Sequence, residues 1–160
     1  MLLVAAIIPL IVGFIWYNPK VFGNFWMRAA GVNPDSAKGA NMVLVFGLTY
    51  LFGCFISLAL CTIVIHQFGI MSLLADEPGV NDPTSVSGGL MKQMMDLYGN
   101  NFRTFKHGTL HGTMTGLFIA MPVIAINAMF ERKGFKYVAV NAGYWILTLA
   151  LMGGVLCAFM

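Results

Sequence analysis

The sequence predicts an all-α integral membrane protein, a bundle of four transmembrane helices with one short interfacial helix, and three observations support this fold class. Hydrophobic residues make up 59% of the 160 residues and charged residues only 9%, whereas soluble domains carry about 45–50% apolar and about 25% charged residues. Four stretches are long and apolar enough to cross a bilayer, which takes roughly 17–25 residues of helix. These runs do not alternate as barrel strands of roughly 9–11 residues do. We therefore expect a single domain over residues 1–160.

The four predicted spans cover residues 1–17, 41–68, 107–130 and 137–160. Helices suit them because a helix satisfies its backbone hydrogen bonds internally, as the interior of a bilayer requires. The first span is short and contains Pro9, which a membrane helix tolerates where neighbours satisfy the freed carbonyl. The net charge is only +3 and no basic run could neutralise a phosphate backbone. The expected surroundings are therefore a lipid bilayer, and nucleic acid is excluded as a partner.

The segment after the first span predicts a short helix that lies in the membrane interface. Asn18 and Pro19 end the first helix, because proline cannot continue it and biases the preceding residue away from helix. Residues 21–30 then mix aromatic and basic side chains, and Phe22 and Trp26 share one face because they are four residues apart. Two aromatic residues typical of the membrane interface precede this segment. The predicted interfacial residues are Trp16, Tyr17, Pro19, Phe22 and Trp26.

Basic residues are distributed unevenly over the three connections, and this distribution predicts the orientation of the chain. The first and third connections together hold six of them and the second connection holds three. Because cytoplasmic loops carry an excess of Lys and Arg, we expect the first and third connections in the cytoplasm and both termini outside it. The six are Lys20, Arg28, Lys38, Arg132, Lys133 and Lys136, and the three are Lys92, Arg103 and Lys106.

The long second connection predicts a loop followed by a short helix. Residues 76–89 are rich in Pro, Gly, Asn, Asp and Ser, which favour turns, and residues 90–98 have an amphipathic pattern. Met91, Met94 and Met95 cluster in this pattern. They are interpreted as the apolar face of the helix, although thioethers beside histidines would also suit Cu(I).

Small residues repeat every four positions along the predicted helices, which favours close helix packing. Helices in a bilayer associate through close backbone approach and interhelical hydrogen bonds. These ridges predict a compact bundle, and they also suit self-association or docking on another membrane protein. The ridge residues are Gly53, Ser57, Gly108, Gly112, Gly116, Gly143 and Gly154.

The three cysteines, Cys54, Cys61 and Cys157, are likewise interpreted as small packing residues rather than as a redox pair.

Polar side chains in the last two spans allow two interpretations. Asn127 and Asn141 lie near the same end of a tight helical hairpin, and we expect them to form a polar pair by hydrogen bonding to each other, each such bond being worth about 0.6–2 kcal/mol. Tyr144 and Thr148 extend the face of Asn141 along the fourth span. This stripe could pair inside the bundle, which we prefer, or line a hydrated path in a small transporter or channel.

The three histidines are candidate metal ligands. His107 and His111 are four residues apart and share a helix face, and the predicted topology places His66 at the same end of the molecule. Three imidazoles could bind Zn or Cu, and two of them could bind haem. Hydrogen bonding between helices and exposure at the water interface would also account for them, which we prefer, and a proton relay is a third possibility. The His-x-x-x-His spacing lacks the glutamate of a zinc protease motif, so hydrolysis is not supported.

The chain resembles a bacterial family of small integral membrane proteins known only as a domain of unknown function. The resemblance rests on Trp16-Tyr17-Asn18-Pro19 followed by Phe22-Gly23 and Trp26, and on Asn141-Ala142-Gly143-Tyr144 and Leu151-Met152-Gly153-Gly154. It implies a four-helix membrane fold and a bacterial inner membrane as the location. It implies no activity.

We therefore expect a small inner-membrane protein without enzymatic activity, acting as an accessory or structural subunit of a membrane complex or as a homo-oligomer. No cofactor is predicted with it. The first alternative is a metal- or haem-binding protein that uses the histidines. The second is a small transporter or channel.

Overall fold

The computed structural model describes residues 1–33 and 41–160, and over these ranges the chain is helical and contains no strand. Lys38, which contributed to the predicted orientation, lies outside the described residues. The helices in order are α1 (Leu2–Ala5), α2 (Ile8–Trp16), α3 (Asn24–Ala30), α4 (Met42–Val64), α5 (Gln67–Leu74), α6 (Val86–Tyr98), α7 (Phe105–Thr115), α8 (Met121–Phe130) and α9 (Phe135–Phe159). π-Helical turns at Pro19–Gly23 and Gly116–Ala120 join α2 to α3 and α7 to α8.

Three helical segments of the described chain are long and apolar enough to cross a membrane, and a bent pair forms a fourth candidate. The three are Met42–Val64, Phe105–Phe130 and Phe135–Phe159, and the last two begin two residues before the predicted third and fourth spans. The bent pair joins Leu2–Trp16 to Pro19–Ala30 at an angle of 54°. The prediction of an all-helical chain with several apolar spans is therefore confirmed, at three to four candidate spans.

The predicted first span is interrupted, because α1 ends at Ala5 and α2 begins at Ile8. Pro9 lies in the first turn of α2, where proline is tolerated since its missing N–H would have no helical partner there. The break also brings backbone close to α4. A Cβ at Gly53 would lie 2.6 Å from the Ala6 carbonyl oxygen, so glycine is needed for this approach.

The predicted second span also ends earlier than expected. Helix α4 stops at Val64, because Ile65 adopts an extended conformation (φ −110°, ψ 99°). His66 then precedes a separate helix, α5, which the sequence did not predict. Helix α6 begins at Val86, earlier than the predicted 90, because the Ser85 hydroxyl accepts a hydrogen bond from the Gly88 N–H at 2.9 Å.

Helix α9 lies at the centre of the fold. Over its most apolar window 56% of the residues are buried, against 17% for α4 and 11% for the segment Phe105–Phe130. It packs against α2, α4, α7 and α8, with α7 as its main neighbour. The buried apolar cluster around it contains Ala5, Leu60, Cys61, Val64, Ile65, Leu149, Met152, Leu156 and Cys157.

The glycine ridge of α7 faces α9 of the same chain. A Cβ at Gly108 would overlap the Gly153 carbonyl, and one at Gly112 would overlap the Leu149 carbonyl. One at Gly116 would lie 2.6 Å from the Ile146 Cα. The two backbones therefore approach each other at successive turns, as in other small-residue helix contacts.

Two further ridge residues contact the bundle in other places. On the α9 side, a Cβ at Gly154 would lie 2.6 Å from the Phe105 ring. Ser57 of α4 is fully buried, and its hydroxyl has no hydrogen-bond partner among the described residues.

The predicted interfacial residues Trp16 and Tyr17 hold α2 against α9. The Trp16 indole N–H donates to the Val140 carbonyl at 3.1 Å, and the Tyr17 hydroxyl donates to the Asn141 side-chain oxygen at 3.1 Å. The Trp16 ring also covers Gly143, where a Cβ would lie 2.9 Å from it. These aromatics therefore have partners in the protein itself.

The turn after Tyr17 explains the spacing of the motif. The Asn18 side-chain oxygen accepts the Lys20 N–H at 2.9 Å, and Pro19 follows at the first position of the π-helical turn. A Cβ at Gly23 would overlap the Tyr17 carbonyl, so this position requires glycine. The turn places Phe22 4.5 Å from Trp16 and Trp26 5.4 Å from Tyr17, measured between ring centroids.

The predicted bond between Asn127 and Asn141 is not formed in the described chain. The Asn141 amide donates to the Tyr137 carbonyl at 2.8 Å, and its oxygen already accepts from Tyr17. Asn127 is exposed on α8. The reason is that α2 docks on α9 and supplies the nearer partner.

The stripe above Asn141 is packed between helices. Tyr144 and Thr148 are buried, and the Tyr144 hydroxyl donates to the Pro9 carbonyl at 2.9 Å. Tyr144 therefore joins α9 to α2, and the cavity next to Tyr144 is lined mainly by apolar side chains.

Candidate metal centre

All three histidines of the chain meet in one cluster at the end of the bundle where α4 stops and α7 begins. One nitrogen from each of His66, His107 and His111 lies within 4.8 Å of the other two. We refer to these residues as the histidine cluster. The structure therefore brings together residues that are 41 and 45 positions apart in sequence.

The imidazoles are in direct contact with one another. The Nε2 atoms of His66 and His107 are 2.9 Å apart, which is hydrogen-bond distance. Ring centroids are separated by 5.0 Å for His66–His107, 5.0 Å for His66–His111 and 4.5 Å for His107–His111. One ring nitrogen must accept the hydrogen bond, so at least one imidazole of the pair is neutral and has a lone pair available.

The bend between α4 and α5 positions His66. The extended residue Ile65 turns the chain, and His66 occupies the position before α5. The adjacent Gln67 is buried, and its amide donates to the carbonyls of Tyr98 at 2.9 Å and Asn101 at 3.0 Å. These two bonds tie the bend to the connection that leads into α7.

The start of α7 positions the other two histidines. Thr104 precedes the helix, and its side-chain oxygen accepts the His107 N–H at 3.2 Å. His111 follows one turn later on the same face. The close approach of α7 to α9 at Gly108 fixes this helix relative to the rest of the bundle.

Phe102 covers one side of the histidine cluster. Its ring stacks on His107 with centroids 5.0 Å apart and meets His66 edge-on at 6.0 Å. Its backbone is left-handed (φ 62°), a conformation uncommon for a bulky residue. The Phe102 carbonyl accepts the Cys157 thiol at 3.2 Å, and Arg103 Nε donates to the Cys157 carbonyl at 3.0 Å. Contacts with α9 thus hold the strained residue in place.

The cluster is open on one side. His66 is exposed, and His107 and His111 are half-buried. An ion could therefore reach the three nitrogens from the surface without passing through the core of the bundle.

This donor set suits a transition-metal ion. Zinc binds imidazole nitrogen at about 2.0–2.1 Å, so nitrogens in a tetrahedral site lie roughly 3.3 Å apart. The Nε2 atoms of His66 and His107 are 2.9 Å apart and the three nitrogens lie within 4.8 Å of one another, so the cluster has the dimensions of a site for one ion. Three protein ligands would leave a fourth position for water or another ligand.

A haem group fits this arrangement less well than a single ion. Two axial imidazoles stand on opposite faces of the macrocycle, with nitrogens separated by two metal–nitrogen bonds, or roughly 4 Å. His66 and His107 are in hydrogen-bond contact at 2.9 Å, and His111 and Phe102 flank them. A porphyrin between the two rings would therefore require them to separate.

The three histidines were predicted from the sequence, but Gln67 and Phe102, which help to position them, were not. Gln67 carries a usable signal, since it is a polar residue next to His66 in an otherwise apolar stretch. Phe102 gives no such signal, because its role depends on a left-handed backbone that the sequence does not indicate. The methionines of the second connection, Met91, Met94 and Met95, lie half-buried on α6.

Comparison with known proteins gives one family match. Residues 1–157 match a family model described as "Protein of unknown function (DUF1761)". No curated protein and no solved structure matches the chain.

Proposed function

Given that the chain belongs to the DUF1761 family of proteins of unknown function, as its resemblance to an uncharacterised family predicted, we propose that it is a membrane protein that binds one transition-metal ion through His66, His107 and His111. One observation carries this proposal. Nitrogens from two separate elements, the α4–α5 bend and helix α7, converge within 4.8 Å of one another. Ionisable side chains at membrane depth are costly and are commonly functional.

The ligand type narrows the class of ion. Neutral imidazole suits Zn, Cu, Fe and Ni, whereas Mg and Ca prefer oxygen ligands. No carboxylate joins the three histidines in the part of the chain that is described. A divalent transition-metal ion such as Zn(II) is therefore the expected occupant.

We propose that the bound ion serves an accessory role rather than catalysis. Hydrolytic zinc sites pair the metal with a general base, commonly a glutamate close to the bound water. The groups next to this cluster include the Phe102 ring, which stacks on His107, and the Gln67 amide, which is bonded to backbone carbonyls. They are suited to positioning the imidazoles rather than to moving protons.

The proposed location is a bacterial inner membrane, with the histidine cluster and both termini on the non-cytoplasmic side. The described basic residues support this orientation, because Lys20 and Arg28 of the first connection lie at the same end of the bundle as the third connection. Lys133 donates to the Ala30 carbonyl, which places the two connections side by side. The positive-inside rule then assigns that end to the cytoplasm.

Assembly with another membrane protein, or with a second copy, is part of the same proposal. Helix α4 is strongly apolar but only 17% buried over its most apolar window, so most of its face is available to lipid or to another helix. Native mass determination in mild detergent tests this point. A strictly monomeric chain with no co-purifying protein would contradict it.

Metal titration of the purified chain tests the proposed function. The protein should be prepared without a polyhistidine tag, so that its three histidines are the only imidazoles present. We expect one Zn(II) per chain in competition with a chromophoric chelator, and a Co(II) adduct with visible absorption typical of low coordination. Replacing His111 with Ala should lower the Zn(II) affinity at least about a hundredfold, since losing even an outer-shell partner costs roughly 10–100-fold.

An exposed polar residue at the opposite end of the bundle provides the control. Asn127→Ala removes a side chain of similar size from α8 and should leave Zn(II) affinity unchanged. If the wild-type chain bound no more Zn(II) than a variant with all three histidines replaced by Ala, the proposed function would be wrong.

A further inference from the structure

Sulfur atoms converge beside the histidine cluster in a way that apolar packing alone does not require. The Cys61 thiol of α4 donates to the Met160 thioether at 3.1 Å, between residues 99 positions apart. Cys157 lies in the last turn of α9, three residues before Met160, and the buried apolar cluster contains both cysteines. Cys61 is 2% exposed and Cys157 is fully buried, whereas Met160 is 48% exposed.

The sulfur atoms and the histidines belong to one continuous structure. The Cys157 thiol lies 3.4 Å from the Val64 carbonyl and 3.2 Å from the Phe102 carbonyl. Val64 is two residues before His66, and the Phe102 ring stacks on His107. The sulfur atoms therefore lie directly beneath the histidine cluster, on the side of the core.

We propose that Cys61 and Met160, with Cys157 adjacent, form a second metal site that takes a soft monovalent ion, Cu(I) or its analogue Ag(I). Thiolate and thioether sulfur are the ligands that Cu(I) prefers. The site is distinct from the three-imidazole site, which suits a divalent ion.

Charge explains the selectivity for a monovalent ion. When the metal binds, the Cys61 S–H bond breaks, its proton leaves to water and a sulfur–metal bond forms. The monovalent metal ion thus replaces the thiol proton, and the buried site stays electrically neutral. The Cys157 thiol keeps its proton, because it donates to the carbonyls of Phe102 and Val64. A divalent ion held by the single Cys61 thiolate would therefore leave a net positive charge beside apolar side chains, which is strongly unfavourable.

Access to the site is provided by Met160. Met160 is 48% exposed as a residue and Cys61 only 2%, so an ion would reach the thiol past Met160. Methionine suits this step because its side chain is unbranched and flexible.

Cu(I) titration of the detergent-solubilised full chain, under anaerobic conditions with a chromophoric Cu(I) chelator as competitor, tests the second site. A variant with all three histidines changed to Ala should still bind one Cu(I). Cys61→Ser combined with Met160→Leu should lower the Cu(I) affinity at least about tenfold and leave Zn(II) binding by the histidines intact. Cys54→Ser, in the same helix but two turns away, should change neither.

X-ray absorption at the copper edge of the wild-type chain loaded with one Cu(I) provides a measurement that does not depend on variant folding. We expect sulfur atoms in the first coordination shell. A shell of nitrogen alone, or full Cu(I) affinity in the Cys61→Ser, Met160→Leu variant, would refute the sulfur site. Either result would leave the Zn(II) proposal standing, so the two proposals can fail separately.

Discussion

The short distance between α7 and α9 depends on individual glycine residues. At Gly112 a Cβ would overlap the Leu149 carbonyl oxygen, and backbone atoms of a packed helix cannot move independently to make room. We predict that Gly112→Ala destabilises the protein by about 1–3 kcal/mol, the usual cost of overpacking. The measurement is the midpoint of unfolding in detergent, by heat or by titration with a denaturing surfactant.

Gly47 of α4 is the matched control for this substitution. A Cβ there would have no heavy atom within 4 Å, so Gly47→Ala should be neutral or stabilise the helix by up to about 1 kcal/mol. Equal losses of stability in the two variants would show that the contact with α9 does not determine the cost, because helix propensity alone favours Ala over Gly at both positions. The comparison therefore isolates the steric contribution of one methyl group.

At the scale of elements, the geometry of the candidate metal centre depends on how the α4–α5 bend is tied to the start of α7. Gln67 makes this tie through two hydrogen bonds, and it touches no histidine nitrogen in them. We predict that Gln67→Leu, which keeps the volume and removes both donors, lowers Zn(II) affinity about tenfold, as the loss of outer-shell support does elsewhere. Chelator competition measures the affinity.

Gln93 on α6 is the control, because it is exposed and also glutamine. Gln93→Leu should leave Zn(II) affinity unchanged. A purely structural role for Gln67 would lower the unfolding midpoint while leaving the affinity per folded molecule unaltered, and that result would remove Gln67 from the site as a positioning residue.

The long helices were predictable from the sequence because lipid requires continuous apolar segments. The start of α4 and the extents of the last two spans agree with expectation to within about two residues. The end of α4 was not predictable, since Ile65 lies in an apolar run without proline or glycine. The bend there is set by tertiary contacts, above all those of Gln67.

The candidate site was predictable only in part for the same reason. Spacing alone puts His107 and His111 on one helix face. That His66 joins them depends on where α4 stops, and the cover provided by Phe102 depends on its left-handed backbone. The predicted hydrogen bond between Asn127 and Asn141 is not formed, because the prediction considered only one helical hairpin, whereas α2 supplies the actual partner of Asn141, Tyr17.

At the scale of the whole molecule, the two ends of the bundle differ in chemistry. The basic connections lie together at one end, joined by Lys133 and the Ala30 carbonyl. The histidine cluster lies at the opposite end of α4 and α7, so an ion would bind on the side away from the first and third connections, next to Arg103 and Lys106 of the second. The orientation in the membrane therefore decides which compartment supplies the ion.

Thiol labelling of whole bacterial cells tests this orientation. Single cysteines introduced at Asn81 and Glu131 lie on opposite ends, and both positions are exposed. Since positively charged loops stay in the cytoplasm, we predict that a membrane-impermeant maleimide labels the Asn81→Cys variant in intact cells and the Glu131→Cys variant only after lysis. The wild-type chain is the background control, because its own cysteines lie within apolar helices. The reverse pattern would place the histidine cluster in the cytoplasm, where it would meet a reducing environment and a different supply of metal ions.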